Sequence, residues 1–371
     1  MTTLAIHSGE SSATSRIPAI TRMIGVGTAV SGTAVSQPEL LGLMEITDPK
    51  VRSVYLNSAI DRRHLTLPSA DEHGRRAPEP QGDLLDKHKR LAVEMGGRAL
   101  LSCLDRIGAS LADLRHLCCV TSTGFLTPGL SALLIRDLGI DPRCSRSDIV
   151  GMGCNAGLNA LNVVAGWSAA HPGELAVVLC SEACSAAYAL DGTMRTTVVN
   201  SLFGDGAAAL ALVADRPGED GGTGRGPRIL KFASYLITEA IDAMRYDWDR
   251  EQDRFSFFLD PQIPYVVGAN AERVIGTLLD GTGLRRSDVA HWLVHSGGKK
   301  VIDAVVVNLG LTRDDVRHTV GVLRDYGNVS SGSFLFSYQR LADEGVTRPG
   351  EYGVLMTMGP GSTIEMALVQ W

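Results

Sequence analysis

Short apolar runs alternate with longer helical patterns along most of the chain. Strand-like runs at Leu114–Ser122, Asp148–Met152 and Leu175–Ser181 are separated by helical patterns at Gly129–Leu138 and Leu158–Ala170. This alternation predicts an α/β protein built on parallel or mixed sheets, because parallel strands are joined by helical crossovers. The 41 glycines follow no fixed period and 44% of the residues are hydrophobic, which excludes collagen, coiled coil and wholesale disorder.

A glycine-rich segment divides the sequence near its middle. Residues 214–228 hold five glycines and two prolines among charged residues, and the α/β pattern resumes after them. We therefore expect a flexible N-terminus at 1–16, one α/β half at 17–213, a linker loop at 214–228 and a second half at 229–371. The halves share no exact repeat, so any duplication has to be structural.

Charge and cysteine content exclude several classes of protein. The net charge of -6 argues against a chain that binds nucleic acid or anionic membrane through bulk charge. A membrane span needs about 18 consecutive apolar residues, which no run approaches, and the first thirty residues lack a signal-like pattern, so we expect a cytoplasmic protein. The seven cysteines form no C-x-x-C pair, which favours reduced thiols over a disulfide framework or a zinc site.

Cys154 is the first candidate for chemistry. It follows a strand-like run that ends in Gly151 and Gly153, and a helix poor in charge begins at it. The free N–H groups and the dipole at a helix N-terminus favour a thiolate, lowering the thiol pKa from its usual value of about 8.5. The cysteine is therefore either a nucleophile or a small residue filling a crowded strand–helix junction.

Two polar residues in the second half are further candidates. His295 ends the apolar run Trp292–Val294 and is followed by two glycines after Ser296, which places it on the C-terminal rim of a strand. Ligands of α/β proteins bind at such rims, although a histidine can simply end a strand. Asn328 lies in a Gly-Asn turn before an apolar helix, where asparagine is also a common N-cap.

Taken together, five segments resemble, in order and spacing, the motifs of type III polyketide synthases, the chalcone synthase superfamily. They are the cysteine segment at 151–160, LFGDGAAA at 202–209, WLVHSGG at 292–298, YGNVSS at 326–331 and GPGSTIE at 359–365. The similarity extends from about Ile24 to Trp371. It implies the thiolase fold, in which two pseudo-duplicated α/β halves form an αβαβα sandwich.

The resemblance implies a catalytic triad of Cys154, His295 and Asn328. The cysteine would hold an acyl group as a thioester while malonyl-CoA loses CO2 and its enolate attacks that group. The His295 Nε2–H and the Asn328 amide would stabilise the enolate oxygen. This chemistry needs no metal or redox cofactor, only coenzyme A thioesters as substrates.

Further positions take their roles from the same resemblance. Phe203 and Phe257 match the two gatekeepers between the CoA tunnel and the reaction cavity, with core packing as the alternative. Asp205, between two glycines, is a turn residue rather than an acid catalyst. The implied cavity residues are Thr127, Cys184 and Ser330. The implied CoA-binding residues are Arg62, Arg63, Gly298, Lys299 and Lys300, whose charges could also be ordinary surface charges.

Within the family, the cysteine segment is most similar to that of bacterial enzymes that make 3,5-dihydroxyphenylacetyl-CoA from malonyl-CoA alone, in antibiotic pathways. The resemblance also implies a homodimer, with Thr127 near its axis, and leaves room for helper enzymes. Synthases that form tetrahydroxynaphthalene, pyrones or resorcinols remain alternatives. Initiating ketoacyl-carrier-protein synthases share the triad, but a Gln-Ala-Asn stretch usually follows their histidine. A catalytically silent scaffold typically lacks the cysteine.

Overall fold

The computed structural model describes residues 19–188, 193–216 and 226–371. The described residues form thirteen strands and ten helices. The strands are β1 (Thr21–Ala29), β2 (Thr33–Ser36), β3 (Arg62–Leu65), β4 (Leu114–Val120), β5 (Ser145–Ile149), β6 (Leu175–Glu182), β7 (Gly206–Ala214), β8 (Arg228–Leu236), β9 (Met244–Asp249), β10 (Arg254–Leu259), β11 (Val289–Val294), β12 (Tyr352–Gly359) and β13 (Thr363–Gln370). The helices are α1 (Gln37–Leu43), α2 (Pro49–Leu56), α3 (Gln81–Arg106), α4 (Leu130–Leu138), α5 (Ala156–Ala170), α6 (Met194–Leu202), α7 (Ile263–Leu279), α8 (Lys299–Leu309), α9 (Arg317–Tyr326) and α10 (Ser333–Glu344).

Nine of the strands form one mixed sheet in the order β11-β12-β13-β8-β1-β7-β6-β4-β5. The two halves repeat the same pattern of strand pairing, one parallel pair followed by two antiparallel pairs. In the first half the neighbours run β4-β6-β7-β1, and in the second half they run β11-β12-β13-β8. Within the sheet, the two halves are joined through one ladder pair between β1 and β8, Arg22 and Arg228. The expected duplication is therefore present in the topology. Two two-stranded antiparallel sheets lie outside this sheet: β2 with β3, and the hairpin of β9 and β10.

The buried residues form layers on both sides of each half. Along β6, Val177 and Leu179 pack with α3 and α4, whereas Val178 and Cys180 face the opposite way, towards α5 and α10. A third cluster lies between α7, α8 and the second half of the sheet. The order of layers is therefore αβαβα, as expected for the thiolase fold. Helix α5 carries no charged residue because it belongs to the central layer.

Most predicted elements agree with the structure, and several boundaries differ. The helical pattern at Gly129–Leu138 is α4, but the strand predicted at Asp148–Met152 is β5, which lies three residues earlier. The helical pattern at Leu158–Ala170 is α5, which begins two residues earlier, at Ala156. Residues 1–16 and 217–225 lie outside the described residues, and β7 and β8 flank the latter. In the described part of the chain, no helix combines the length and apolarity needed to cross a bilayer.

Candidate active site

The candidate site lies at the carboxyl ends of parallel strands from both halves. Strands β4, β5 and β6 run parallel, and their ends lead to Ser122, Cys154 and Glu182. In the second half β11 leads directly to His295, and its neighbour β12 runs parallel to it. Ligand sites of α/β proteins form at such edges because the loops there converge. The two halves thus contribute residues to one place.

A tight turn places Cys154 at the start of α5. The cysteine lies in a 3₁₀ turn, Gly153–Asn155, that continues into the helix. Gly153 has a φ of +61°, and a Cβ there would lie 2.5 Å from the ring of Pro360. Both the backbone conformation and the contact require glycine at this position. The sequence-based placement of the cysteine at a helix N-terminus is correct.

Two adjoining cavities meet at this cysteine. The outer cavity has a volume of about 420 Å³ and the inner cavity about 40 Å³, and Cys154, Phe203 and Phe257 line both. The rings of the two phenylalanines make an edge-to-face contact with centroids 6.0 Å apart. His295 and Asn328 line the outer cavity beside the cysteine. The structure therefore brings the predicted triad together and places the predicted gatekeepers where the cavities join.

The side chain of Asn328 is oriented by the turn that contains it. The Ser330 amide donates a hydrogen bond to Asn328 Oδ1 at 2.9 Å, which leaves the side-chain NH2 group as the donor. The backbone of Asn328 is fixed as well, since its amide donates to the Leu202 carbonyl at 2.8 Å and its carbonyl accepts from the Gly204 amide at 3.0 Å. Helix α10 begins only at Ser333, so Asn328 is not its N-cap.

His295 is buried and neutral. Only 2% of the residue is exposed, and its backbone amide donates to the Met356 carbonyl at 2.8 Å. Burial lowers the pKa of the imidazole to about 3. Nδ1 has no hydrogen-bond partner among the described residues. A neutral imidazole has a lone pair that can accept a proton, and a general base works best when its pKa is near the working pH, so a bound substrate or the developing thiolate has to stabilise the charged ring.

Burial also decides the state of the Cys154 thiol. Burial raises its pKa to about 12, and hydrogen bonds from Ser330 and Asn328 oppose this rise only in part. The expected lowering of the pKa by the helix N-terminus is therefore wrong for the free enzyme, because the loss of water outweighs the helix end. Burial therefore favours the uncharged form of both the thiol and the imidazole in the free enzyme.

A buried carboxylate beside the thiol was not predicted. Glu182 is fully buried and accepts hydrogen bonds from the Ser122 and Ser331 hydroxyls at 2.8 and 2.5 Å. It also accepts from the Ser330 hydroxyl at 3.3 Å, and that hydroxyl lies 3.6 Å from the Cys154 sulfur. The signal was present in the sequence, since the apolar run of β6 ends in a carboxylate at the rim where ligands bind.

The structure separates the predicted CoA-binding residues. Gly298, Lys299 and Lys300 line the outer cavity, although Lys299 also pairs with Asp303 at 2.6 Å. Arg62 is exposed and lines neither cavity. Arg63 is 0% exposed, with its guanidinium bonded to protein acceptors, so its prediction as a CoA-phosphate ligand is corrected.

The remaining predicted residues occupy different surroundings. Cys184 and Ser330 line the inner cavity, whereas Thr127 is exposed and lines neither cavity of its own chain. Asp205 is buried and accepts hydrogen bonds from Ser31 and Ser185 at 2.7 Å, which fits a structural role. In the described ranges, no group of three or more His, Cys, Asp or Glu side chains is arranged to hold a metal ion.

Comparison with known proteins agrees with this geometry. Models of the chalcone and stilbene synthases match residues 53–216 (N-terminal domain) and 246–371 (C-terminal domain). The chain is 76% identical over 373 residues to a 3,5-dihydroxyphenylacetyl-CoA synthase of Amycolatopsis balhimycina, covering 100% of this chain and 98% of that protein. A second such synthase, from Amycolatopsis orientalis, is 75% identical over 95% of this chain and 94% of its own length. Among solved structures, a 1,3,6,8-tetrahydroxynaphthalene synthase from Streptomyces coelicolor A3(2) superimposes with a TM-score of 0.84 and 28% identity, over 94% of this chain and 99% of the other.

Enzymes that hold an acyl group on a cysteine while a second thioester attacks it are acyltransferases, and this chain is one of them: a type III polyketide synthase. It belongs to the chalcone and stilbene synthase family, whose models together match most of its length.

Proposed function

We propose that the chain condenses four malonyl-CoA molecules and cyclises the tetraketide to 3,5-dihydroxyphenylacetyl-CoA. The observation that carries the proposal is the near-complete match, at 75 and 76% identity, to synthases of that name. The convergence of Cys154, His295 and Asn328 on one cavity independently supports condensation on a cysteine, the chemistry that the proposal requires.

The first step is acyl transfer to Cys154. With a thiol pKa near 12 and a neutral His295, the proton must leave the sulfur as it attacks the thioester. His295 lines the same cavity and is available to accept that proton as general base. Coenzyme A leaves as its thiol, and the cysteine carries the acyl group.

Extension requires an enolate made by decarboxylation of malonyl-CoA. As CO2 leaves, negative charge develops on the thioester oxygen, and the Asn328 NH2 group and the His295 Nε2–H stabilise it. Phe203 and Phe257 present apolar rings at the junction of the cavities, where they exclude water and disfavour the charged carboxylate. The enolate then attacks the acyl-cysteine, which lengthens the chain by two carbons and releases the thiolate.

The size of the inner cavity favours a small starter unit. At about 40 Å³ it has room for about three water molecules, which suits an acetyl group, and the growing tetraketide has to extend into the adjoining outer cavity of about 420 Å³. A malonyl-derived acetyl group needs far less space than a phenylpropanoid. We therefore infer that malonyl-CoA supplies both starter and extender.

We further infer a cytoplasmic homodimer that needs no cofactor beyond its CoA thioesters. Claisen condensation and aldol closure involve no net oxidation, so the chemistry calls for no redox group.

Strand β5 is an edge of the sheet with unpaired backbone groups, and nearby Phe125 and Val150 are 77% and 67% exposed. Such an edge is suited to pairing with a second copy about a two-fold axis. Light scattering should give the dimer mass, and a fully active monomer would contradict this part.

Incubation with malonyl-CoA alone tests the function. Mass spectrometry of the products should show 3,5-dihydroxyphenylacetate, free or as its CoA ester. Parallel reactions with added helper enzymes detect any need for them in dehydration. Tetrahydroxynaphthalene as the main product, or strict dependence on an added acyl-CoA or on an acyl carrier protein, would contradict the proposal.

A further inference from the structure

Arg63 is a buried cation whose hydrogen-bond acceptors lie around the C-terminal end of α6, next to the predicted gatekeeper Phe203. Its guanidinium donates to the carbonyl oxygens of Phe203 and Asn200 at 2.5 and 2.7 Å. It also donates to the Tyr188 hydroxyl and to Gln37 Oε1, both at 2.9 Å. None of these four acceptors is a carboxylate. The Nε atom of Arg63 has no hydrogen-bond partner among the described residues, so the four acceptors of its terminal nitrogens, and not a carboxylate, offset the cost of burying this charge.

The end of α6 supplies two of these acceptors. The helix ends at Leu202, and the carbonyls of its last turn lack partners within the helix. They carry the negative end of the helix dipole, which favours a cation. Arg63 binds the carbonyls of Asn200 and Phe203 there, and the Tyr188 hydroxyl also donates to the Phe203 carbonyl. The backbone that carries the Phe203 ring is thereby anchored.

The aliphatic part of Arg63 contacts the other side of the site. A Cβ on Gly327 would lie 2.7 Å from Arg63 Cδ and 2.9 Å from Cγ, and Gly327 has a φ of +72°. Gly327 directly precedes Asn328. One arginine side chain therefore contacts both Phe203 and the turn that presents the Asn328 amide.

The two segments that Arg63 contacts are also bridged directly. Phe203 and Asn328 form an isolated parallel β-bridge, in which the flanking Leu202 carbonyl and Gly204 amide bond to the backbone of Asn328. This bridge joins the halves of the molecule at the cavity. A shift of the 202–204 segment would therefore move both the Phe203 ring and the Asn328 amide relative to the substrate.

We propose that Arg63 is a positioning residue that sets the Phe203 ring and the Asn328 amide in register for decarboxylation of malonyl-CoA. The inference rests on the proposed function. Acyl transfer to the cysteine depends on Cys154 and His295, neither of which Arg63 contacts. Loss of the arginine should therefore slow decarboxylation more than loading.

The experiment compares Arg63→Lys and Arg63→Met with wild type, using malonyl-CoA as the only substrate. Acyl loading is read as the intact-protein mass in a single turnover, and decarboxylation as labelled CO2 released. In Arg63→Lys the ratio of CO2 release to loading should fall on the order of tenfold to a hundredfold, the scale expected of a small misplacement. KM for malonyl-CoA should change little. Arg63→Met should lower the ratio further, since lysine retains the charge and one donor.

Arg22→Lys is the matched control. Arg22 is also largely buried and pairs with Asp215 at 2.9 Å, but it lies where the two sheet halves meet and lines neither cavity. Its loss should lower the melting temperature without changing the ratio. If Arg63→Met does not fold, Tyr188→Phe removes the other donor to the Phe203 carbonyl and should give a smaller fall in the same ratio.

The possible outcomes separate the two proposals. A parallel loss of loading and CO2 release in the Arg63 variants would overturn the positioning role. An unchanged ratio in Arg63→Lys and Tyr188→Phe would overturn it too. Wild-type protein that neither loads nor decarboxylates malonyl-CoA would instead contradict the proposed function.

Discussion

The hydroxyl of Ser330 lies 3.6 Å from the sulfur of Cys154, and Ser330 holds a left-handed backbone conformation with a φ of +49°. That conformation costs a residue with a side chain about 1–2 kcal/mol, so its surroundings must hold it. The Ser330 amide donates a hydrogen bond to Asn328 Oδ1, and the Ser330 hydroxyl donates one to the Glu182 carboxylate. One strained residue thus connects the nucleophile, the oxyanion donor and the buried carboxylate.

The protonated state of the site predicts a pH profile. The pKa of the Cys154 thiol is raised by burial, so the thiolate is a small fraction that grows with pH. Alkylation of Cys154 by iodoacetamide should therefore increase about tenfold per unit between about pH 6 and about pH 9. A plateau above about pH 7 would show a stable thiolate–imidazolium pair instead. Parallel labelling of Cys154→Ala corrects for the other six cysteines, all buried.

Replacing Ser330 by glycine isolates the effect of its hydroxyl. Glycine accepts the left-handed conformation, so the backbone should stay in place, while the hydrogen bond that lowers the thiol pKa is lost. At a fixed pH, alkylation of Cys154 should become several-fold slower, with the melting temperature unchanged or higher. Ser337→Ala removes a buried hydroxyl that bonds within α10 and should leave the rate unchanged. Equal or faster alkylation of Ser330→Gly would contradict the contact.

Asn328→Asp tests the oxyanion donor without removing the turn. Aspartate retains an oxygen for the Ser330 amide but loses the NH2 group that faces the substrate. Decarboxylation should slow by on the order of 10²–10³, the effect of losing one such donor, and acyl loading should fall much less. CO2 release and intact-protein mass measure the two steps. An equal loss of both would assign Asn328 a structural role.

Cys154→Ala should abolish covalent labelling by radiolabelled malonyl-CoA. The second cysteine of the inner cavity, Cys184, provides the control, since it is buried and lies away from the start of α5. Cys184→Ala should retain the label on the protein. Label that persists on Cys154→Ala would remove that residue from its role as nucleophile.

Local sequence pattern was sufficient to locate the triad residues. The strand-like run before Cys154, the glycines beside it and the charge-free helix after it indicate a strand, a turn and a buried helix, all formed by near neighbours. His295 was placed correctly at a strand rim for the same reason. The roles of these residues, however, came from the family resemblance, because no local pattern shows that distant segments meet in one cavity.

What the sequence did not predict depends on packing between distant segments. A helix N-terminus alone would lower the pKa of the Cys154 thiol, but burial by residues distant in sequence reverses the direction of the shift. Arg62 and Arg63 look alike in the sequence, yet one is exposed and the other buried. A signal was available, since alternation along β3 places Arg63 on the same face as Leu65.

The central claim is that malonyl-CoA alone passes through Cys154 to an eight-carbon product. The most direct measurement supplies malonyl-CoA labelled with ¹³C throughout its malonyl group, together with excess unlabelled acetyl-CoA. Mass spectrometry of the dihydroxyphenylacetyl product should then show all eight carbons labelled, because each of the four units comes from malonate. A product with only six labelled carbons would show that acetyl-CoA supplies the starter, and would contradict the account.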